Sequence, residues 1–307
     1  MRTGSRNFRV GLTLALSGML MVGAACTPDP PPAPTKDCTV RAPGADLRGC
    51  DLSAQIFAGQ EQPESSGNYV VMDLSGADLR DTLLDESGFY SGVDFTGANF
   101  ANAKLLGVNV AENAGVFGTV KFTNNDFTNA DLTGASFDAA GFYDGIFAGA
   151  ILKDLSLYEG GLSGTFAGAD LSGSTFLSMS SLSGDLQGVN LRGVKWVGLS
   201  SLGGDLRDAD LATAEFSWSV LSGNAAGANL SDAVFDRVDV ISADLTGADL
   251  TGATFTAVNF DGVDFTNANL TGALFLSDPV DGPNVFNNVT WSNTTCPDGT
   301  VRSTPCV

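Results

Sequence analysis

Between Ala243 and Gly272 the chain reads ADLTGADLTGATFTAVNFDGVDFTNANLTG. A large apolar residue returns at every fifth position, as Leu245, Leu250, Phe255, Phe260, Phe265 and Leu270. A small residue stands two places before each, Asp or Asn most often stands directly before it, and Gly often closes the unit. A period of five fits neither the 3.6 of a helix nor the 2.0 of a strand, so no single element runs through the pattern. Self-similarity at a short fixed period marks a solenoid, in which each unit buries its apolar side only by stacking on its neighbours. In each five, the Leu or Phe and the small residue two before it are expected to point inward. The polar residues then point outward, and Gly sits where the chain turns a corner.

The same beat runs back to Ala45 and falters in Ser181–Leu206, SLSGDLQGVNLRGVKWVGLSSLGGDL. Leu202 comes six residues after Trp196, and Leu206 only four after Leu202. One lap earlier the same happens from Phe176 to Leu182 to Leu186. Six and four restore two units of five, and Phe142, Leu162, Leu182 and Leu202 remain twenty apart, as do Phe176, Trp196 and Phe216. The repeating length is therefore a lap of twenty, with Leu182 and Leu202 one residue late on one corner, like a bulge repeated in register. Nothing in this stumble calls for a functional explanation. Trp196 falls on a central position and is expected in the core.

These units, ADLRG, CDLSA, MDLSG, ADLTG and ANLTG among them, resemble the pentapeptide-repeat family, whose motif is A(D/N)Lxx, over about Ala45 to Phe275. The resemblance implies an all-β fold: a right-handed quadrilateral β-helix in which four pentapeptides form the four sides of a coil of twenty residues. About 12 such coils fit, in a rod of roughly 55–60 Å at the strand spacing of a sheet. The open ends of such a rod invite edge-to-edge association unless covered. The pattern stops where paired cysteines begin, so both ends are expected to be stapled caps, with Trp291 as an apolar lid and Pro-Asp-Gly (297–299) as a turn.

The chain of 307 residues carries 15 basic and 35 acidic residues and no histidine. That composition removes imidazole bases, histidine metal ligands and Ser-His-Asp catalysis. It also argues against nucleic-acid binding, which needs a basic footprint. Arg2, Arg6 and Arg9 precede the apolar run Val10–Val22, which leads to Cys26. Thirteen apolar residues are short for a membrane span and suit a signal-peptide core. The segment resembles the lipobox of bacterial lipoproteins: Ala24 and Ala25 fit it, although Gly23 stands where Leu is usual, and Cys26 would carry the lipid. Ordinary cleavage after Ala25 is the rival reading, since Gly23-Ala24-Ala25 is also a small-x-small site. Either way the mature chain has 12 basic and 35 acidic residues, a formal charge of −23. The five prolines of Thr27–Asp37 make a semi-rigid spacer.

With Cys26 set aside, the remaining cysteines form two local pairs, Cys38 with Cys50 and Cys296 with Cys306, and none lies between Cys50 and Cys296. They are expected to be disulfides in an oxidising compartment. A zinc site would have to bring the two ends of a long stack together. The expected organisation is a signal peptide (1–25), a spacer after the lipidated cysteine (26–37), the β-helix (38–290) with an inserted loop at 60–71, and a stapled cap (291–307).

The Asp slots, such as Asp46, Asp78, Asp131, Asp170, Asp210, Asp244 and Asp249, read first as a solvated face of the motif. Asn99, Asn190, Asn229 and Asn269 are interspersed and moderate repulsion between stacked carboxylates. Calcium along an Asp ladder is conceivable, but no EF-hand loop is present, and no metal or cofactor is expected. Tyr69 in the inserted loop is a candidate contact, and 111–121 is a second stretch where the motif decays. Tyr90, Tyr143, Tyr158 and Trp218 should point outward. The expectation is a non-enzymatic, exported rod, tethered to the membrane through Cys26, that serves as a structural or protein-interaction scaffold at the cell envelope, with an unidentified partner. Two other readings stand beside it. Some members of the family are DNA mimics that occupy the DNA channel of gyrase, and the acidic rod fits that; the export signal and the absence of a C-terminal dimerisation helix do not. A carbohydrate enzyme with paired carboxylates would need an apolar cleft, and none is expected.

Overall fold

The structure is a computed structural model that describes residues 37–306 apart from 54, 58–59, 62–68, 71, 74–76, 78, 80–87, 91–92 and 112–119. Every described element is a β-strand, and none is longer than six residues. Two parallel sheets of eleven strands each form two sides of the coil. The other two sides are ladders of parallel bridges. One runs Lys104, Asp131, Ile151, Asp170, Asn190, Asp210, Asn229, Asp249, Asn269, Thr295, and the other includes Asp185, Asp205, Asn224, Asp244, Asp264 and Thr290. Four sides of one short unit each are what the five-residue beat requires.

Lateral register shows the lap directly. Phe122, Phe142, Leu162, Leu182 and Leu202 are aligned partners in one sheet, and Phe176, Trp196 and Phe216 in the other. Eleven rungs span about 50 Å at the usual strand spacing. This is one fewer than the expected twelve, because several laps are longer than twenty, three of them by six residues or more. Phe57 is aligned with Phe89, Asp94 with Lys121, and Phe260 with Phe286. The last of these detours, around Asp278–Gly282, was not legible as an insertion.

Among the described residues the inward assignment holds, with Phe275 and Phe286 at the C-terminal end only partly buried. The central Leu and Phe residues and the Ala or Val two places before them form one continuous buried cluster. Aromatic rings stack along the bore in files. Phe176, Trp196, Phe216, Phe235, Phe255 and Phe275 follow one another at 4.8–5.2 Å between centroids. Trp196 is fully buried in the file, and its indole Nε1 has no hydrogen-bond partner.

The stumble resolves into two separate irregularities. The six-residue step adds a residue at one corner: Ser178 and Met179 both take positive φ there, as do Gly198 and Leu199 one lap later. The four-residue step shortens the next side by one residue. It recurs in four laps, from Leu162 to Phe166, Leu182 to Leu186, Leu202 to Leu206 and Leu221 to Ala225. There the chain passes through Gly164, Gly184, Gly204 and Gly223 at φ 142, 119, 96 and 91, positive values that favour glycine. Each glycine passes so close to the lap before that a Cβ would sit 1.9–2.4 Å from a glycine carbonyl oxygen. Leucine steps of four and six thus have different causes, a missing side chain and an added corner residue. Two of the four laps carry the four without the six and close in nineteen residues, not twenty.

At the N-terminal end Cys38 and Cys50 are joined with Cα atoms 5.8 Å apart, and Leu47 and Leu52 are buried. At the other end Trp291 is buried and stacks on Phe265 at 5.0 Å. Cys296 is joined to Cys306, and an antiparallel pair, Thr294–Thr295 with Val301–Arg302, closes around the Pro297-Asp298-Gly299 turn.

Candidate interaction surface

The Asp/Asn slot has a structural task that the sequence pattern alone does not display. Its side-chain oxygen accepts the backbone N–H two residues on, as from Asp94 to Thr96, Asp131 to Thr133, Asn190 to Arg192, Asp210 to Ala212 and Asp249 to Thr251. This Asx turn folds the corner that follows each of these residues, which is why the slot takes these two residue types so often. Where Asn follows Asp on the ladder, its Nδ2 donates to the carboxylate on the neighbouring lap: Asn190 to Asp170 at 2.9 Å and Asn229 to Asp210 at 3.0 Å. The interspersed asparagines therefore relieve repulsion by a directed hydrogen bond. Cations help: Lys153 meets Asp170 at 3.1 Å, and Arg192 meets Asp210 at 3.1 Å. For Asp170, burial pushes the carboxyl up, but the Ser172 hydroxyl and amide together with Lys153 outweigh it and hold it below the usual carboxylate range. Among the described residues no group of three or more Cys, Asp or Glu is placed to hold a metal ion.

The outward aromatics fall as expected where they are described: Tyr143, Tyr158 and Trp218 are exposed. The side chains of Tyr69 and Tyr90 lie outside the described residues, as do Asp78, the whole of 1–36 with Cys26, and 112–119. The backbone of Tyr69 pairs with Glu61 across a two-residue antiparallel ladder.

The coil brings together exposed apolar residues that lie far apart in the chain. Tyr158, Leu177 and Val197 are aligned on the outward face of successive strands. Beside them, at the adjoining corner, Met179, Leu199 and Trp218 stand on three successive laps, linked by hydrogen bonds from Met179 N to Gly198 O and from Leu199 N to Trp218 O. They are 65%, 69% and 52% exposed. All three take left-handed φ, at 66°, 66° and 51°, where Gly, Asn and Asp are at home and a bulky side chain costs about 1 kcal/mol or more. On the next lap the Arg237 guanidinium lies over the Trp218 ring, 5.1 Å from its centroid. Arg237 is itself gripped by Asp236, by Asp278 at 2.5 Å, and by Asp281. The hydrogen bond that Arg237 donates to Asp281 leads in keeping this arginine more firmly protonated than usual, against partial desolvation. Leu199, Trp218, Val220, Asp239, Ala257 and Asp281 are among the walls of a shallow hollow of about 260 Å³. One signal pointed to this corner in the sequence: the added residue of each six-residue step is placed where Met179 and Leu199 project.

The family described as pentapeptide repeats matches the chain as eight copies, over residues 120–154, 224–252 and 248–275. The molecule is a parallel β-solenoid, and the stretches 120–154 and 224–275 within it match the repeat of that family. Among solved structures it is similar to HetL, a pentapeptide repeat protein involved in heterocyst differentiation regulation from the cyanobacterium Nostoc. The two are 22% identical over 84% of this chain and 92% of that one, with a TM-score of 0.34. Full-length QnrB1, a plasmid-mediated fluoroquinolone resistance protein, is 16% identical over 80% of this chain and 92% of its own, with a TM-score of 0.24. Rfr23, a pentapeptide repeat protein from the cyanobacterium Cyanothece, is 12% identical over 79% and 91%, with a TM-score of 0.12. No curated protein matches the chain.

Proposed function

We propose that this chain is a non-enzymatic scaffold, exported from the cytoplasm, anchored through lipid at Cys26, and presenting the side of its coil to a protein partner at the cell envelope. The observation that carries the reading is how the carboxylates are used. Among the described residues, those of the bridge ladders close Asx turns and bond from lap to lap, and do not face one another across a cleft as paired catalytic acids must. The joined pairs Cys38–Cys50 and Cys296–Cys306 accord with an oxidising compartment, and the Arg-rich, apolar start of the chain accords with export. Replacing Cys26 with Ser is expected to move the protein from the membrane fraction to the soluble one. An unchanged distribution would defeat the anchor. Envelope cross-linking with the wild-type chain as bait tests the scaffold, and recovery of no partner would count against it. The DNA-mimic alternative draws on the formal charge of −20; inhibition of gyrase supercoiling by the mature chain would bring it forward.

A further inference from the structure

We propose that the corner bearing Met179, Leu199 and Trp218 is a docking site for a polypeptide segment that combines aliphatic or aromatic side chains with lysine or arginine. The inference rests on the scaffold reading and names the chemistry of its partner.

Exposed apolar residues are ordinary when single; here they are contiguous. Tyr158, Leu177 and Val197 on the strand face adjoin Met179, Leu199 and Trp218 on the corner, across four laps. Contiguous apolar surface rimmed by polar groups marks an interaction site. The backbone makes the case sharper. Elsewhere the left-handed corner positions are mostly Gly, Asn or Asp, including Asn129, Asp154, Asp208 and Asp232. At this corner bulky side chains hold the same conformation on consecutive laps, exposed to water, and stability alone gives no reason for them.

Charge selects the partner. The cations of this region are already held, Lys195 by Glu215 and Arg237 by Asp236, Asp278 and Asp281. Glu159 on the preceding lap and Asp239 at the edge of the hollow have no ion pair among the described residues. The whole chain carries a formal charge of −20. An acidic partner would be repelled and a basic one steered in. A sugar is the weaker fit, because the Arg237 guanidinium already covers a face of the indole on which a pyranose would stack.

The test uses the full chain and defined probes: a short peptide alternating lysine with leucine and tryptophan, the same peptide with glutamate for lysine, the same with serine for the apolar residues, and a chito-oligosaccharide. The lysine–leucine–tryptophan peptide is expected to bind, more weakly as salt rises, and the other three are expected to bind weakly or not at all. Leu199→Asn and Trp218→Asn together should lower its affinity roughly tenfold or more, as loss of a central aromatic anchor does. Because asparagine suits a left-handed corner, the same double variant should melt no lower than the native chain, so lost binding cannot be ascribed to lost fold. Ile151→Ala, on one of the bridge ladders, should bind normally. Equal binding by the asparagine variant, equal binding of the glutamate or serine peptide, preferential binding of the sugar, or no binding by the native chain would each overturn the proposal. A failure of this site leaves envelope cross-linking free to find a partner on another face, whereas an empty cross-linking result would strike the scaffold reading itself.

Discussion

Asn190→Asp is a one-atom change on the ladder, and its cost can be worked out. In the native protein Asn190 Nδ2 donates to Asp170 Oδ1 at 2.9 Å, and Asn190 lies beside Asp210 on the other side. Aspartate keeps the acceptor used by the Arg192 amide but loses the donor, which contributes about 1 kcal/mol. It also sets a third carboxylate between two others, one rung of about 4.8 Å away on each side. Two like charges at that distance repel by about 1 kcal/mol in a watery dielectric. That limit suits side chains as open as Asp170 and Asp210, at 27% and 36%, with Lys153 and Arg192 beside them. Two such repulsions, partly offset by the cations, and the lost bond come to about 2 kcal/mol, or a melting point lower by roughly 4–8 °C. Neighbouring carboxylates raise the folded pKa of the new acid above its unfolded value. The charge penalty is therefore present above that pKa and fades as pH falls through it. Thermal melts of variant and native chain followed by circular dichroism, at neutral and acid pH and in low and 1 M salt, read this out. At 1 M the screening length is about 3 Å, so much of the repulsion should vanish. Leu191→Asp, one residue along and fully buried, should cost several kcal/mol and gain nothing from salt. No deficit in the Asn190 variant, or one indifferent to both salt and acid, would refute the account of the ladder.

Gly184→Ala would place a Cβ 2.2 Å from the Gly164 carbonyl oxygen and should cost several kcal/mol in chemical denaturation, whereas Gly188→Ala meets open space at φ 66 and should cost about 1 kcal/mol; equal losses would mean the short side is not closed by backbone contact. Trp196→Phe removes a buried N–H without a partner, a gain of about 1–3 kcal/mol, against about 1 kcal/mol for the void. It should be neutral or stabilising, and a loss above about 2 kcal/mol would reveal a partner for the indole. Because Asp170 is held below its ordinary pKa when folded, its contribution is present above the unfolded value and lost as pH falls through the folded one. Native stability should decline below about pH 4, with a shallower decline in Asp170→Asn, and identical slopes would contradict the assignment.

Much of this was legible in the primary structure because the coil is nearly one-dimensional. A side chain repeated every five residues has few places to go, and the inward set, the burial of Trp196 and the alignment of Phe142, Leu162, Leu182 and Leu202 all follow from counting. The acidic slots were visible as a pattern but not as Asx turns, since a hydrogen bond to the amide two residues on depends on the corner's dihedral angles. The Met179–Leu199–Trp218 corner was hidden for another reason. Laps of nineteen and twenty residues alternate irregularly, so sequence spacing alone does not say which outward side chains become lateral neighbours.

The amino-acid sequence by itself thus determined that the chain must wind, that a regular turn holds about twenty residues, and which groups fill the bore, because burying an apolar residue at every fifth position admits little else. Tertiary structure alone decided which exposed residues meet across laps and where glycine lets one lap pass against the next. Those contacts depend on ångström-scale backbone approach and on single-residue gains and losses at corners, quantities that a periodicity averages away.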